Sequence, residues 1–318
     1  MKTAQTVLGP VPVTELAPIL IHEHVICTSP VIYRTFGEKW FSGETLRNET
    51  VRKLTLAKKT FGLRTIVDAT PLNLGRDPGL LAEISRISGV NVIASTGMYF
   101  YEDFTISTIP PEVLAELFID ECRNGDPAGI RPGFLKCAAD AAGITPYVKR
   151  IHELTAFIQA ATGLPVFAHT SPSANTGPEQ LEILIQNGAD PAKIVMGHCG
   201  DSGKPDYAET LLKRGCYVSI DRIYRNCPQW SAGKVSVLLE LIRRGWTERL
   251  LTAHDLILFP DSENTRRDTL PDSLKNSPHC DPKGLCVIHD TILPELRKHG
   301  VSERELRIIM EENPLRLF

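Results

Sequence analysis

The stretch ILIHEHV, residues 19–25, sets His22 and His24 two positions apart in an apolar, β-branched run. In a strand, residues i and i+2 share a face, so the two imidazoles look one way and Glu23 the other. The spacing is not that of a helical zinc-protease motif, whose histidines stand four apart. An HxH pair on a strand is either half of a metal site or a pair of hydrogen-bonded core histidines. Other apolar runs also end in residues of ligand or catalytic type: Lys136 in GFLKCAAD, His169 in LPVFAHT, His198 in AKIVMGH and Asp255 in RLLTAHD. Imidazole and carboxylate without thiolate suit zinc, or another first-row divalent ion such as iron, cobalt or manganese. The set of His22, His24, His169, His198 and Asp255 exceeds the three protein ligands of a single catalytic zinc. Two ions bridged by a water or hydroxide fit the donors better. A bare Lys136 ammonium would repel two dications, so Lys136 must be deprotonated, chemically modified or turned away.

Such residues converge only if the elements that carry them bring their ends together. Eight short apolar runs recur along the chain: 19–25, 63–69, 90–96, 133–139, 164–170, 192–198, 216–221 and 249–255. Amphipathic stretches such as ETVRKLTLAKKTFG, PEVLAELFIDECRNG, YVKRIHELTAFIQAATG and PEQLEILIQNG lie between them, several ending in the glycine that stops a helix. Alternation of this kind predicts a parallel sheet, and eight units in one chain predict an α/β fold of the closed (β/α)8, or TIM, barrel type, as one domain over residues 1–318. An open doubly wound sheet is the alternative, but no glycine-rich dinucleotide loop follows the first strand. Residues 27–44 and 256–286 form long excursions after the first and eighth strands, at the barrel face where active sites sit.

Bulk properties narrow the function classes. The chain has 318 residues, a formal charge of −3 and no basic block, which argues against a nucleic-acid partner. Its N-terminus lacks the apolar core of a signal peptide, and no apolar run is long enough to span a bilayer. The eight cysteines form no CxxC pair and read as small buried hydrophobes in a reducing compartment. A soluble, cytoplasmic protein without nucleic-acid or membrane partners is expected.

With HEH on the first strand, lysine on the fourth, histidines on the fifth and sixth and HD on the eighth, the chain resembles the binuclear amidohydrolases. Within them it is similar to the phosphotriesterase family, and most of all to the phosphotriesterase-like lactonases. The likeness runs from TVLGPVPVTELAPILIHEH through GFLKCAADAAGIT, NTGPEQLEILIQNGADPAKIVMGHCGD and LTAHD to GVSERELRIIMEENPLRLF. It implies that CO2 carboxylates Lys136 at its side-chain nitrogen and that the carbamate bridges two divalent ions, zinc foremost. His22, His24 and Asp255 would hold the more buried ion, and His169 and His198 the more exposed one. Asp255 would also act as general base while a metal-bridging hydroxide attacks the substrate. Tyr99, in STGMYFYED, matches the lactonase tyrosine that leans over the centre, where phosphotriesterases have tryptophan; otherwise it is an ordinary loop aromatic. Arg222, in SIDRIYRN, matches the lactonase arginine that stands where phosphotriesterases carry a relay histidine, with Asp201 of GHCGD as its charge partner. That pair could equally be a structural ion pair at the rim. The resemblance also implies a homodimer.

The chain departs from the lactonases after HD, where LILFPDSENTRRDTLPDSL carries neither their Tyr-Cys stretch nor their loop tryptophan, and again at DRIYRN. The metal centre therefore transfers, whereas the pocket that selects the substrate does not. The expected activity is metal-dependent opening of lactones, acyl-homoserine lactones (a quorum-quenching reaction) or related oxo-lactones. Weak phosphotriester hydrolysis would accompany it, and the substrate tail would lie in a groove walled by residues 256–286. Amide or carboxylic ester hydrolysis by the same centre is the alternative among enzymes, and a non-catalytic barrel that binds metal and ligand is the alternative outside them. Glu23 and His254 face away from the site, and His152, His279, His289 and His299 are expected not to be ligands.

Overall fold

The computed structural model describes residues 2–225, 228–260, 279 and 281–318, with only the backbone described for 228–230. After an N-terminal hairpin of β1 (Thr3–Thr6) and β2 (Gly9–Pro12) come the barrel strands β3 (Ile19–Cys27), β4 (Thr65–Asp68), β5 (Asn91–Gly97), β6 (Phe134–Ala138), β7 (Val166–His169), β8 (Ile194–Met196), β9 (Tyr217–Ile220) and β10 (Leu250–Thr252). All eight runs read from the sequence are strands. A further strand, β11 (Ile257–Pro260), pairs in parallel with β3, and β10 pairs in parallel with β9. The sheet order is β10-β9-β8-β7-β6-β5-β4-β3-β11. Because β11 follows β10 almost directly, the sheet closes on itself: the Asp255 amide donates to the His22 carbonyl at 2.9 Å and the His24 amide to the Leu256 carbonyl at 2.9 Å. The fold is the (β/α)8 barrel that the alternation predicts.

The layer of helices includes α1 (Pro30–Phe36), α2 (Gly43–Phe61), α3 (Pro78–Ser88), α4 (Phe104–Thr108), α5 (Pro111–Asn124), α6 (Pro146–Thr162), α7 (Thr176–Gln186), α8 (Pro205–Leu212) and α9 (Pro228–Arg243). Gly62, Gly89 and Gly163 close α2, α3 and α6, as the pattern of glycine stops predicts. No helix among the described residues is long and apolar enough to cross a membrane.

Both long excursions begin with regular structure. The one after the first barrel strand folds into α1. Ser29 caps that helix by accepting the Ile32 amide, Pro30 opens it and Gly37 ends it, a start-and-stop signal present in the sequence itself. The excursion after the eighth strand begins as a strand, because its apolar LILFP run pairs with β3. Residues 261–278 and 280, where the sequence predicts the wall of a substrate groove, lie outside the described residues.

The barrel interior is filled from every strand, by Ile21, Val67, Ile93, Phe134, Phe167, Val195, Tyr217 and Leu251 among others, all buried. This apolar plug ends at Phe167, and the polar cluster stands on it: the His22 ring centroid is 4.0 Å from that of Phe167, and Lys136 Nζ is 4.4 Å from the same centroid. A Cβ at Gly197 would come within 2.2 Å of the Phe167 ring, so only glycine lets the ring reach this position.

Candidate metal centre

β3 carries a local irregularity that decides which way its histidines face. Ile19 and Ile21 point into the barrel, while Leu20 packs against the outer helices. Strict alternation would therefore send His22 outward. The register against β4 shifts between Leu20 and Glu23, and beyond the shift His22 and His24 face inward while Val25 packs outside. A bulge that re-aims side chains beside a site is a known use of such shifts.

His22 Nε2 and His24 Nε2 stand 3.2 and 3.3 Å from Asp255 Oδ1, and Lys136 Nζ lies 3.1 Å from His22 Nε2. His198 Nε2 is 2.9 Å from His169 Nδ1, and one ligand atom each of His22, His198 and Asp255 fit within 4.8 Å of one another. The structure thus brings together all six residues expected to bind metal, from β3, β6, β7 and the ends of β8 and β10. Apart from Asp255, which is slightly exposed, all are buried.

The orientation of the rings fits metal binding. Asp221, at the end of β9 and fully buried, takes His198 Nδ1 on Oδ1 at 2.7 Å and His22 Nδ1 on Oδ2 at 3.1 Å, and Oδ1 also accepts the His198 amide. His24 Nδ1 meets Thr70 Oγ1 at 2.8 Å. With Nδ1 engaged from behind, each of these rings presents Nε2 to the centre, an arrangement typical of metal-ligating histidines. Asp221 is the functional residue that the sequence reading passed over. Its signal was there: it is the polar residue ending CYVSID, one of the eight runs.

Electrostatics favour a cation at the centre. Burial pushes His22 down to about 4 and His198 well below its ordinary value, so both imidazoles are neutral donors. Burial alone would raise Asp221 and Asp255, yet the imidazoles around them hold both well below the usual carboxylate range. His24 goes the other way: burial disfavours its cation, but Cys27 and Asp255 raise it to about 10, so the pocket draws a positive charge to this point. Burial lowers Lys136 to about 8, which makes its free amine accessible near neutral pH. The donor set of imidazole, carboxylate and amine therefore suits divalent ions.

Three residues at the strand ends have left-handed backbones although none is glycine: His198 at φ 60°, Arg222 at φ 58° and Asp255 at φ 54°. Such conformations cost roughly 1–3 kcal/mol each and persist where the surroundings hold them. The His198 amide is held by Asp221, the Asp255 amide by the His22 carbonyl, and the Arg222 carbonyl by Lys234 Nζ at 2.8 Å.

Arg222 does more than pair with Asp201. Its Nη1 donates to Asp201 Oδ2 at 2.8 Å and its Nε to Asp255 Oδ2 at 3.2 Å. Tyr99 Oη lies 3.3 Å from His169 Nδ1, and burial, with Asp255 nearby, keeps the phenol protonated. Asn73 holds the Tyr99 backbone from both sides, accepting its amide at 2.7 Å and donating to its carbonyl at 3.2 Å.

The residues expected to lie outside the centre do so. Glu23 Oε1 bonds His254 Nδ1 at 2.8 Å and Oε2 accepts the Leu256 amide, so the carboxylate ties β3 to the β10–β11 junction. His152 is buried within α6 against the Val148 carbonyl, and His289 stacks on Phe61. His279 Nδ1 accepts the Ile257 amide, and His299 lies on the surface near Glu295.

Two cavities lie at the ends of the barrel strands. One of about 860 Å³ is apolar and lies beyond β3, β4 and β5, with Cys27, Leu72, Met98, Tyr101, Leu117 and Phe118 in its walls. The other, about 630 Å³, is polar and is walled by residues that include Asp140, Ser171, Ser173, Asp201, Lys204 and Arg222.

Comparison with known proteins agrees with this geometry. The model of the phosphotriesterase family matches residues 2–318. A phosphotriesterase homology protein of Mycobacterium tuberculosis is 28% identical over 328 residues, covering 100% of this chain and 98% of the relative. An aryldialkylphosphatase of Saccharolobus solfataricus is 30% identical over 302 residues, 94% of each chain. An N-acetyltaurine hydrolase of Rattus norvegicus is 26% identical over 350 residues, covering 98% and 96%.

Proposed function

The chain belongs to the phosphotriesterase family and is a hydrolytic enzyme acting on a small molecule; from that premise we propose that it opens lactones, acyl-homoserine lactones or related oxo-lactones, with weak phosphotriesterase activity alongside. The observation that carries this reading is the pair of contacts at the two subfamily positions, Tyr99 against His169 and Arg222 against Asp255.

In this proposal His22, His24, Lys136, His169, His198 and Asp255 hold two divalent ions, zinc before iron, cobalt or manganese. Bound there, the ions would supply a nucleophilic water at neutral pH and polarise the substrate carbonyl. Lys136 would enter as its carbamate: the neutral amine attacks the carbon of CO2, an N–C bond forms as one C=O π bond opens onto oxygen, the proton shed by nitrogen passes to solvent, and an anionic oxygen stands where a neutral amine did. Asp255 Oδ2 takes the proton of the attacking water and returns it to the ring oxygen that departs as the lactone opens. Arg222 Nε, donating from 3.2 Å, aligns that carboxylate. Tyr99, protonated and fixed by Asn73, packs beside His169 and limits where the substrate ring can sit.

The test is a side-by-side assay of an acyl-homoserine lactone, an N-acyl amide, an aryl ester and an aryl dialkyl phosphate. The lactone is expected to give the highest kcat/KM, and the Asp255→Asn variant is expected to keep its metal while losing roughly 10²–10⁴ in turnover. Turnover of the amide without the lactone would move the assignment to amide hydrolysis, the reading that the N-acetyltaurine hydrolase relatives favour. Full activity of Asp255→Asn would remove the proton-transfer role.

A homodimer in the cytoplasm completes the proposal. Phe104, Val31 and Leu117 are 83%, 72% and 70% exposed, and Val31 and Leu117 rim the apolar cavity together with the partly exposed Leu72 and Tyr101. At roughly 180 Å² per residue these five expose about 600 Å², at the upper end of the largest apolar patch on a typical monomer and below the ~800 Å² that each partner of a stable complex buries. A projecting Phe104 beside a socket on the same face suits a two-fold pairing. Sedimentation is expected to give twice the chain mass, and Phe104→Asp to give the single mass. Six described cysteines, all unpaired, suit the reducing cytoplasm.

A further inference from the structure

Lys234, on α9, turns its charged end inward and is only 3% exposed. Nζ stands 2.9 Å from Asp201 Oδ1 and donates to the Arg222 carbonyl at 2.8 Å. The same lysine therefore grips both the left-handed backbone of Arg222 and the carboxylate that pairs with its side chain. The path is shaped for it: a Cβ at Gly200 would lie 3.2 Å from Lys234 Cγ and 2.8 Å from Ile220 Cγ2.

The distribution of partners over Asp201 matters most. A carboxylate and a guanidinium left to themselves favour a two-pronged pairing, with both oxygens on one Arg edge. In this protein Asp201 Oδ1 is taken by Lys234, so Asp201 gives Arg222 only Oδ2, on Nη1. Arg222 Nε is thereby left for Asp255 Oδ2. We infer that Lys234 is a positioning residue that aims Arg222 at Asp255, by anchoring the Arg222 carbonyl and occupying one oxygen of Asp201. Without it, Asp201 turns both oxygens to the guanidinium, the Arg222 backbone loses an anchor, and the contact with Asp255 is lost. This inference rests on the proposed role of Arg222 at Asp255.

The test is a double-mutant cycle of wild type, Lys234→Met, Arg222→Ala and the double variant. Each is assayed for kcat and KM on whichever of the lactone, amide and ester the wild type turns over, with metal content and Tm measured in parallel. Lys234→Met is expected to lower kcat about 10-fold with metal content retained and KM little changed, and to lower it by less than about twofold further in the Arg222→Ala background. Multiplicative losses in the double variant, or a wild-type kcat in Lys234→Met while Arg222→Ala is impaired, would overturn the inference. An unimpaired Arg222→Ala would remove the role of Arg222 and the inference with it, a failure distinguishable from the other two. If Lys234→Met does not fold, Lys234→Gln, which keeps an amide donor, carries the same cycle and the same criteria.

Discussion

Asp221→Asn probes the centre through a residue that would touch no ion. The carboxylate accepts His198 Nδ1 and the His198 amide on Oδ1, and His22 Nδ1 on Oδ2. An asparagine has one accepting oxygen. Two bonds converge on the His198 side, so the amide oxygen settles there and the amide NH2 faces His22 Nδ1. Two donors cannot share that contact, so His22 must accept at Nδ1 and carry its proton on Nε2. That is the nitrogen 3.2 Å from Asp255 and 3.1 Å from Lys136, which then no longer offers a lone pair to the centre. Loss of an outer partner typically lowers metal affinity 10- to 100-fold, roughly 1.4–2.7 kcal/mol. Because one substitution disturbs the tautomer of one ligand and the charge behind another, the upper end, about 100-fold, is expected, with the ion on the His22 side lost first. The assay is metal content after equilibration against a graded series of chelator concentrations. Wild-type retention of both ions in Asp221→Asn would refute the reasoning.

Further outcomes follow from burial. His152 is held at about 4 by burial against 6.5 in the unfolded chain, so as pH falls below 6.5 the unfolded chain binds a proton that the folded chain refuses. Its contribution is present above pH 6.5 and is lost as pH falls through 4, about 3 kcal/mol in all; His152→Leu should lose correspondingly less stability between pH 7 and pH 4 in urea unfolding, and an unchanged acid loss would contradict this. Lys136 must be neutral to take up CO2, and with its amine at about 8 the neutral fraction falls from half at pH 8 to about one hundredth at pH 6. At fixed dissolved CO2, reconstitution of apo-protein should therefore be about 50-fold slower at pH 6 than at pH 8; equal rates would argue against carboxylation. Tyr99→Phe is expected to keep both ions and lower lactone kcat/KM roughly 10-fold; a loss of metal would mean instead that the phenol supports His169 as a ligand.

Much of this was legible in the sequence because strand ends and periodicity carry it. The eight runs became strands, and the polar residue that ends a run became a residue of the barrel mouth, as Lys136 and His169 show. What escaped lies below the resolution of pattern. The shift at Leu20–Glu23 that turns His22 inward has no signature in ILIHEHV, which reads as plain alternation. Asp221 escaped because a carboxylate one residue before Arg222 looks like its surface neighbour until the fold places it behind two rings. The grip of Lys234 on Asp201 joins α9 to the end of β8, and a residue on an amphipathic helix gives no sign that its charge turns inward. Helix α1 was readable from Ser29, Pro30 and Gly37, but the length of the excursion argued louder than its caps.

The central claim is that these strand-end residues form a two-ion hydrolytic centre completed by a carboxylated lysine. The most direct measurement is metal content together with lactone hydrolysis, on wild type and on Lys136→Ala. The account predicts two ions per chain and lactone opening in the wild type, both lost in Lys136→Ala and partly restored by a short carboxylic acid that fills the space of the carbamate. A wild type that binds no ion after reconstitution, or a Lys136→Ala variant as active as wild type, would contradict it.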